Sequence, residues 1–359
     1  MTRFHRLCPA ALGITIALLL SACAQSPLQP SGGPFAGRPG AQMPGLTPQM
    51  AANADTLTKM AVLQDRLYHV AAPLLINNAD LCKSHARNIL GFTAKSRYSY
   101  PGDYNEAAHL AFGMGDRMQV TGVLAGSGAA KAGLKAGDRL VAAGGKPLPS
   151  GPQGPAQAGA VFGQLASTQA SLPLTIERNG GSHQITIPVT RACAYGIELG
   201  NADNINAYAD GQRVMVTRGM IGFTENDDEL AYVLANGLAH NVLGHASSQR
   251  STGTLGSIID NLRSVKPDDS MLIGSGGIKA MPAELDAAAD RLALYMLARA
   301  GYDTDGVDDF WKRLARTYPA TVLNAYTANH PALPARLAAI EKAAAEIKGK
   351  RAAKKALVP

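Results

Sequence analysis

One stretch limits what this chain can fold into more than any other: Glu229-Leu-Ala-Tyr-Val-Leu-Ala-Asn-Gly-Leu-Ala-His-Asn-Val-Leu-Gly-His245. Leu230, Val233, Leu234 and Leu238 recur at helical spacing, and Asp227 and Asp228 stand where a cap and favourable dipole charge belong. A helix here places Asn236 and His240, four residues apart, on one face. Gly237 falls inside the same helix, where glycine costs about 1 kcal/mol relative to alanine.

That spacing is the geometry of a zinc helix, in which His-Glu-x-x-His offers two imidazoles and a general base. Here the five positions read Asn236-Gly237-Leu238-Ala239-His240, so the second histidine is present while asparagine and glycine replace the first histidine and the glutamate. His245 follows His240 by five residues, off the i,i+4 register, and is expected to be structural or to face solvent.

The chain has 359 residues, 46% of them apolar, enough for two modest domains with cores of their own. Its start is specialised. Arg3, His5 and Arg6 precede an apolar run from Ala10 to Leu20, too short to span a bilayer and laid out as a secretory signal. Leu20-Ser21-Ala22-Cys23 resembles the bacterial lipobox, which implies cleavage after residue 22 and acylation of Cys23. Ala24, rather than aspartate, follows the cysteine, a pattern similar to that of outer-membrane lipoproteins facing the periplasm. Residues 23–50 are rich in Pro, Gly, Gln and Ser and read as a flexible tether. If Cys8 leaves with the signal and Cys23 carries lipid, Cys82 and Cys193 remain, an even pair that forms either a disulfide or two buried thiols. The formal charge is +7, with much of the excess in the tail 342–359. No aromatic residues interleave those lysines, so nucleic acid is not an expected partner and a solvated helix end is.

A helix is expected within 51–82, from Leu57, Met60, Leu63, Leu67 and Val70, ending near Pro73. A β-rich region over 83–192 follows. Met118 to Leu124 reads as a strand, Ser127 to Asp138 as a short helix and glycine turn, and Arg139 onward as another strand. Leu174 to Ile187 reads as a hairpin turning at Asn179-Gly180. The run Ala132-Gly133-Leu134-Lys135-Ala136-Gly137-Asp138 resembles the PDZ domain, and Leu90-Gly91-Phe92 is similar to the loop whose amides hold a peptide C-terminus in PDZ domains of the HtrA type. The resemblance implies that an extended peptide is added at a sheet edge. A PDZ fold acting only as spacer or lid is the alternative.

Over 193–341 several segments act together. The hairpin Asn206-Ala207-Tyr208-Ala209-Asp210-Gly211, the run Val216-Thr217-Arg218-Gly219, the 229–245 helix and Asp286-Ala287-Ala288-Ala289-Asp290 resemble the zinc metallopeptidases related to the CAAX prenyl protease and HtpX, the forty-eighth metallopeptidase family. Its periplasmic lipoprotein branch is the most similar. The resemblance implies an α+β chain: a PDZ-like β-rich domain, then a mainly helical gluzincin-like metallopeptidase domain. It puts Asp286 at the third zinc-ligand position, where the family has glutamate, and His330 with Pro331 and Arg336 in a segment that can lie near the metal.

The departures decide what can be expected. Asn236 is a doubtful ligand, because a neutral amide oxygen competes weakly with water for zinc. Asp286 is one methylene shorter than glutamate, and Gly237 cannot move a proton. The expected ligands are therefore His240, Asp286 and His330, with zinc retention left open. Asp290 is expected to accept hydrogen bonds nearby, and Leu292, Leu294, Met296 and Leu297 to be core. The leading expectation is a degenerate peptidase, anchored to the membrane by lipid, that binds unfolded or extended envelope polypeptides or protein C-termini. The rivals are an active zinc endopeptidase in envelope quality control with an atypical site, and a purely structural lipoprotein.

Overall fold

The computed structural model describes residues 46–245 and 280–359. The expected signal peptide, Cys23 and nearly all of the tether lie outside the described residues, as do residues 246–279. No helix among the described residues is long and apolar enough to cross a membrane.

Helix α1 (Pro48–Asn77) begins where the Thr47 hydroxyl accepts the Met50 N–H. It runs through Pro73 instead of ending there. Proline removes one helical hydrogen bond, but Leu74 and Leu75 beyond it are buried with Leu67, Val70 and Ala71, and that burial outweighs the loss. Asn78 closes the helix, its amide donating to the carbonyls of Leu74 and Met296.

The β-rich half contains β1 (Ala86–Ile89), β2 (Phe92–Lys95), α2 (Tyr104–Phe112), β3 (Gln119–Val123), α3 (Gly128–Lys131), β4 (Arg139–Ala143), β5 (Lys146–Pro147), α4 (Gly154–Thr168), β6 (Ser171–Arg178), β7 (Gly181–Pro188) and β8 (Thr190–Cys193). The main sheet runs β2-β3-β4-β6-β7, with β5 paired to β4. Strands β6 and β7 form the hairpin expected at Asn179-Gly180, and both turn residues have positive φ, 53° and 78°. Val120, Leu140, Leu172, Leu174, Ile176 and Ile187 fill the core between this sheet and its helices. Asp138, closing the glycine turn, is 2% exposed and receives two hydrogen bonds of 2.6 Å from Arg178.

Strands β1 and β8 pair antiparallel, Ala86 opposite Cys193, and so hold the two ends of this domain together. A disulfide between Cys82 and Cys193, with Cα atoms 5.5 Å apart, closes a span of 111 residues at the same place. Removing it by paired serine substitution should cost about 2–5 kcal/mol. Chemical denaturation with and without the bridge measures this, and an unchanged midpoint would contradict it.

The second half starts with a small sheet, β9 (Gly196–Gly200), β10 (Ala207–Ala209) and β11 (Arg213–Thr217), in the order β10-β11-β9, with β9 parallel and β10 antiparallel to β11. Helices α5 (Arg218–Phe223) and α6 (Asp227–Leu243) follow. Beyond the undescribed segment come α7 (Ala283–Ala300), α8 (Val307–Thr317), α9 (Tyr326–Asn329) and α10 (Leu333–Ala352). The cap of α6 is Asn226, whose side chain accepts the Glu229 N–H, and Asp227, Asp228 and Glu229 supply negative charge to the first turn. Every residue from Leu230 to Asn241 is buried, so α6 is a central helix rather than a surface one. Leu292, Leu294, Met296 and Leu297 of α7 join the same core.

Candidate metal centre

Three elements far apart in sequence converge on one point. Helix α6 brings His240, the first turn of α7 brings Asp286, and the end of α9 brings His330; all three are buried. One ligating atom from each lies within 4.8 Å of the others. His330 Nδ1 is 2.7 Å from Asp286 Oδ1, and His240 Nε2 is 3.5 Å from the same oxygen. The His330 ring stacks on Tyr326 with centroids 4.2 Å apart, and Tyr326 stacks in turn on Trp311 at 5.0 Å. This stack holds the imidazole from the side.

Two atoms of the cluster, His240 Nε2 and Asp286 Oδ2, are buried without a hydrogen-bond partner among the described residues. Burying an unsatisfied polar atom costs about 1–3 kcal/mol. Two such atoms in one cluster of two imidazoles and a carboxylate match the donor set of a three-ligand zinc site. Burial, helped by His330, His245 and Arg336, holds His240 well below the ordinary imidazole range, so it is neutral and can offer a lone pair at neutral pH. The residues present therefore fit a zinc ion, with His240, Asp286 and His330 as the side chains that would hold it.

Asn236 is not among them. Its amide nitrogen donates to Asp290 Oδ1 at 2.8 Å, and its oxygen accepts the Tyr326 hydroxyl at 2.7 Å. Asp290 in turn receives Arg336 through Nε at 2.6 Å and a terminal nitrogen at 2.9 Å, and both side chains are 2% exposed. The guanidinium lies over Trp311, 4.1 Å from the ring centroid. The position expected to carry a first ligand is thus a joint in a polar network.

Gly237 faces strand β11. A Cβ placed there would stand 2.7 Å from Cγ1 and 3.1 Å from Cγ2 of Val214. The Val214 side chain takes the space that a side chain at 237, and so a general base, would need. Glu229, the nearest acid earlier in the helix, is bonded to Arg313 at 2.5 Å and to the Glu225 N–H at 2.7 Å.

His245 takes the structural one of its two expected placements and does not face solvent. It is 8% exposed, and its Nδ1 lies 3.1 Å from His240 Nδ1. The i,i+5 argument assumed a continuing helix, but Gly244 adopts φ 74° and turns the chain back. The signal was present as a glycine directly after the last helical apolar residue.

Leu90-Gly91 links β1 to β2, and Phe92 is the first residue of β2. Gly91 has φ 79°, and a Cβ on it would come within 2.4 Å of Ser127 Cβ. Its carbonyl accepts Leu124 N–H at 2.9 Å and the Ser127 hydroxyl at 3.2 Å, which fixes the loop. Strand β2 is the edge of the main sheet, and Phe92 meets Phe162 of α4 edge-on at 5.6 Å. The loop, the edge strand and α4 are neighbours, as strand addition requires.

A sheet domain with an open edge, followed by helices that gather His, Asp and His around one point, defines the class: a PDZ module joined to a metallopeptidase-type domain. Comparison with known proteins agrees. Residues 119–178 match the PDZ domain family and residues 182–265 match peptidase family M48, whose members are zinc metallopeptidases. The chain is thus similar to PDZ domains over one segment and, after it, to peptidase family M48 over another. It is similar to the beta-barrel assembly-enhancing protease of Yersinia pestis, 31% identical over 133 residues, covering 33% of this chain and 27% of that protein. It is also similar to the protein of the same name from Escherichia coli K12, 28% identical over 130 residues, 32% of this chain and 27% of the relative. The match spans about a quarter of these relatives' length.

Proposed function

We propose that this chain is a metal-binding, non-hydrolytic relative of the M48 peptidases that holds extended polypeptides in the bacterial envelope, attached through an acylated Cys23 to the outer membrane. The observation that carries the reading is Gly237 packed against Val214, which removes both the general base and the room for one. The donors His240, Asp286 and His330 support retention of a metal, and the PDZ edge beside Leu90-Gly91-Phe92 supports binding of a peptide C-terminus. Zinc, when held there, supplies Lewis acidity toward a carbonyl oxygen. Without a carboxylate at position 237 that acidity has no partner to move a proton to the leaving amine.

A second reading is favoured by the two unpartnered atoms His240 Nε2 and Asp286 Oδ2: an active zinc endopeptidase that takes its base from elsewhere. One experiment separates the two. Purified full chain, loaded with zinc, is offered an unfolded protein and a set of peptides with free or amidated C-termini. The expected result is binding of extended peptides, weakened by amidation, with no cleavage. Zinc-dependent cleavage that disappears in His240→Ala would replace the first reading by the second, and absence of peptide binding would sink it.

A further inference from the structure

His245 is the one imidazole at this centre that is not a candidate ligand, yet it touches the ligand that α6 provides. Gly244, in the left-handed conformation, donates its N–H back to the carbonyls of Asn241 and His240 and reverses the chain. His245 consequently lies against His240, ring centroids 5.2 Å apart at an angle of 69°, with the two Nδ1 atoms at 3.1 Å. A hydrogen bond between two ring nitrogens needs the proton on one and the lone pair on the other. The opposite nitrogen of His240, Nε2, is the buried one that faces Asp286 and has no hydrogen-bond partner. A lone pair on Nε2 requires the ring proton on Nδ1, and that proton then points at His245 Nδ1.

We infer that His245 is a positioning residue for the metal centre: its Nδ1 accepts the His240 Nδ1 proton and so fixes the His240 tautomer and ring plane in which Nε2 can bind a metal. The inference rests on the metal-binding reading above and adds an outer partner to it. Such partners are usually a carboxylate or a backbone carbonyl, and their loss typically weakens metal binding by roughly 10–100-fold. An imidazole fits the role because its own second nitrogen can carry the remaining proton.

The test is zinc titration of the metal-free full chain, comparing wild type with His245→Phe, His245→Gln and His240→Ala, alongside the thermal midpoint of each metal-free variant. Phenylalanine keeps the bulk and removes the acceptor; glutamine keeps an acceptor oxygen. The expected result is one zinc per wild-type chain, none in His240→Ala, an affinity lower by roughly 10–100-fold in His245→Phe, and recovery to within a few-fold in His245→Gln. Of the metal-free variants, His245→Phe should have the lower midpoint, because it leaves the buried His240 Nδ1–H without an acceptor, and His245→Gln should stay near wild type. Equal zinc affinity in wild type and His245→Phe overturns the inference and leaves the metal centre standing. Equal losses in the Phe and Gln variants also overturn it, because acceptance is then not the property that matters. No zinc bound by wild type brings down the metal-binding reading itself, and this inference with it.

Discussion

Replacing Asp290 by alanine should lower the stability of the helical domain by about 3–5 kcal/mol, the range seen when one partner of a buried ion pair is removed. The carboxylate receives both hydrogen bonds from Arg336 and one from Asn236. Arg336 is 2% exposed, enclosed by Trp311 and Tyr326, so its charge has no route to solvent once Asp290 is gone. Asn236 would lose the acceptor for its amide at the same time. Asp290→Asn, which keeps the shape but not the charge, should cost less than Asp290→Ala. Denaturant titration of both variants checks the order. A loss below about 1 kcal/mol in Asp290→Ala would mean that the pair is not buried as described.

Placing a glutamate at position 237 should not by itself confer peptidase activity. In Gly237→Glu the new Cβ meets Val214 Cγ1 at 2.7 Å, so α6 and β11 must separate or Val214 must leave its rotamer. Overpacking of this kind costs about 1–3 kcal/mol, and the carboxylate is held off the position from which it could act. Val214→Ala in the same chain should relieve the clash, because Val214 Cβ itself is 3.5 Å away, an ordinary contact. The expected order of denaturation midpoints is wild type first, the double variant next and Gly237→Glu last, with no cleavage of an unfolded protein by Gly237→Glu alone. Cleavage by that single variant would show that the space was available and that only the side chain was missing. What position 237 can hold is therefore set by the Val214 side chain packed against it.

Local features were readable from the chain alone. The α6 pattern, the Asn179-Gly180 hairpin, the Gly137-Asp138 turn and the apolar positions of α7 each depend on neighbours within a few residues, and periodicity and turn chemistry report those directly. The polar network was half readable. Asp290 was expected to accept hydrogen bonds, but that Asn236 and Arg336 are its donors depends on contacts spanning 54 and 46 residues. The same holds for the close approach of Val214 to Gly237, which helical spacing cannot show. Pro73 inside α1 is a case of tertiary burial overriding a local stop signal. His245 is structural, one of its two expected placements, but its contact with His240 is not legible from helical register, because Gly244 ends the helix before it.

His240, Asp286 and His330 are the side chains that would hold a metal here, and Asn236 is bonded into the Asp290 network instead. Zinc content per chain, measured on purified full chain and on its His240→Ala and Asn236→Gln variants, tests this assignment most directly. One zinc in wild type, one in Asn236→Gln and none in His240→Ala is the result expected from these donors. No zinc above background in wild type, or loss of zinc with Asn236→Gln as complete as with His240→Ala, would contradict it.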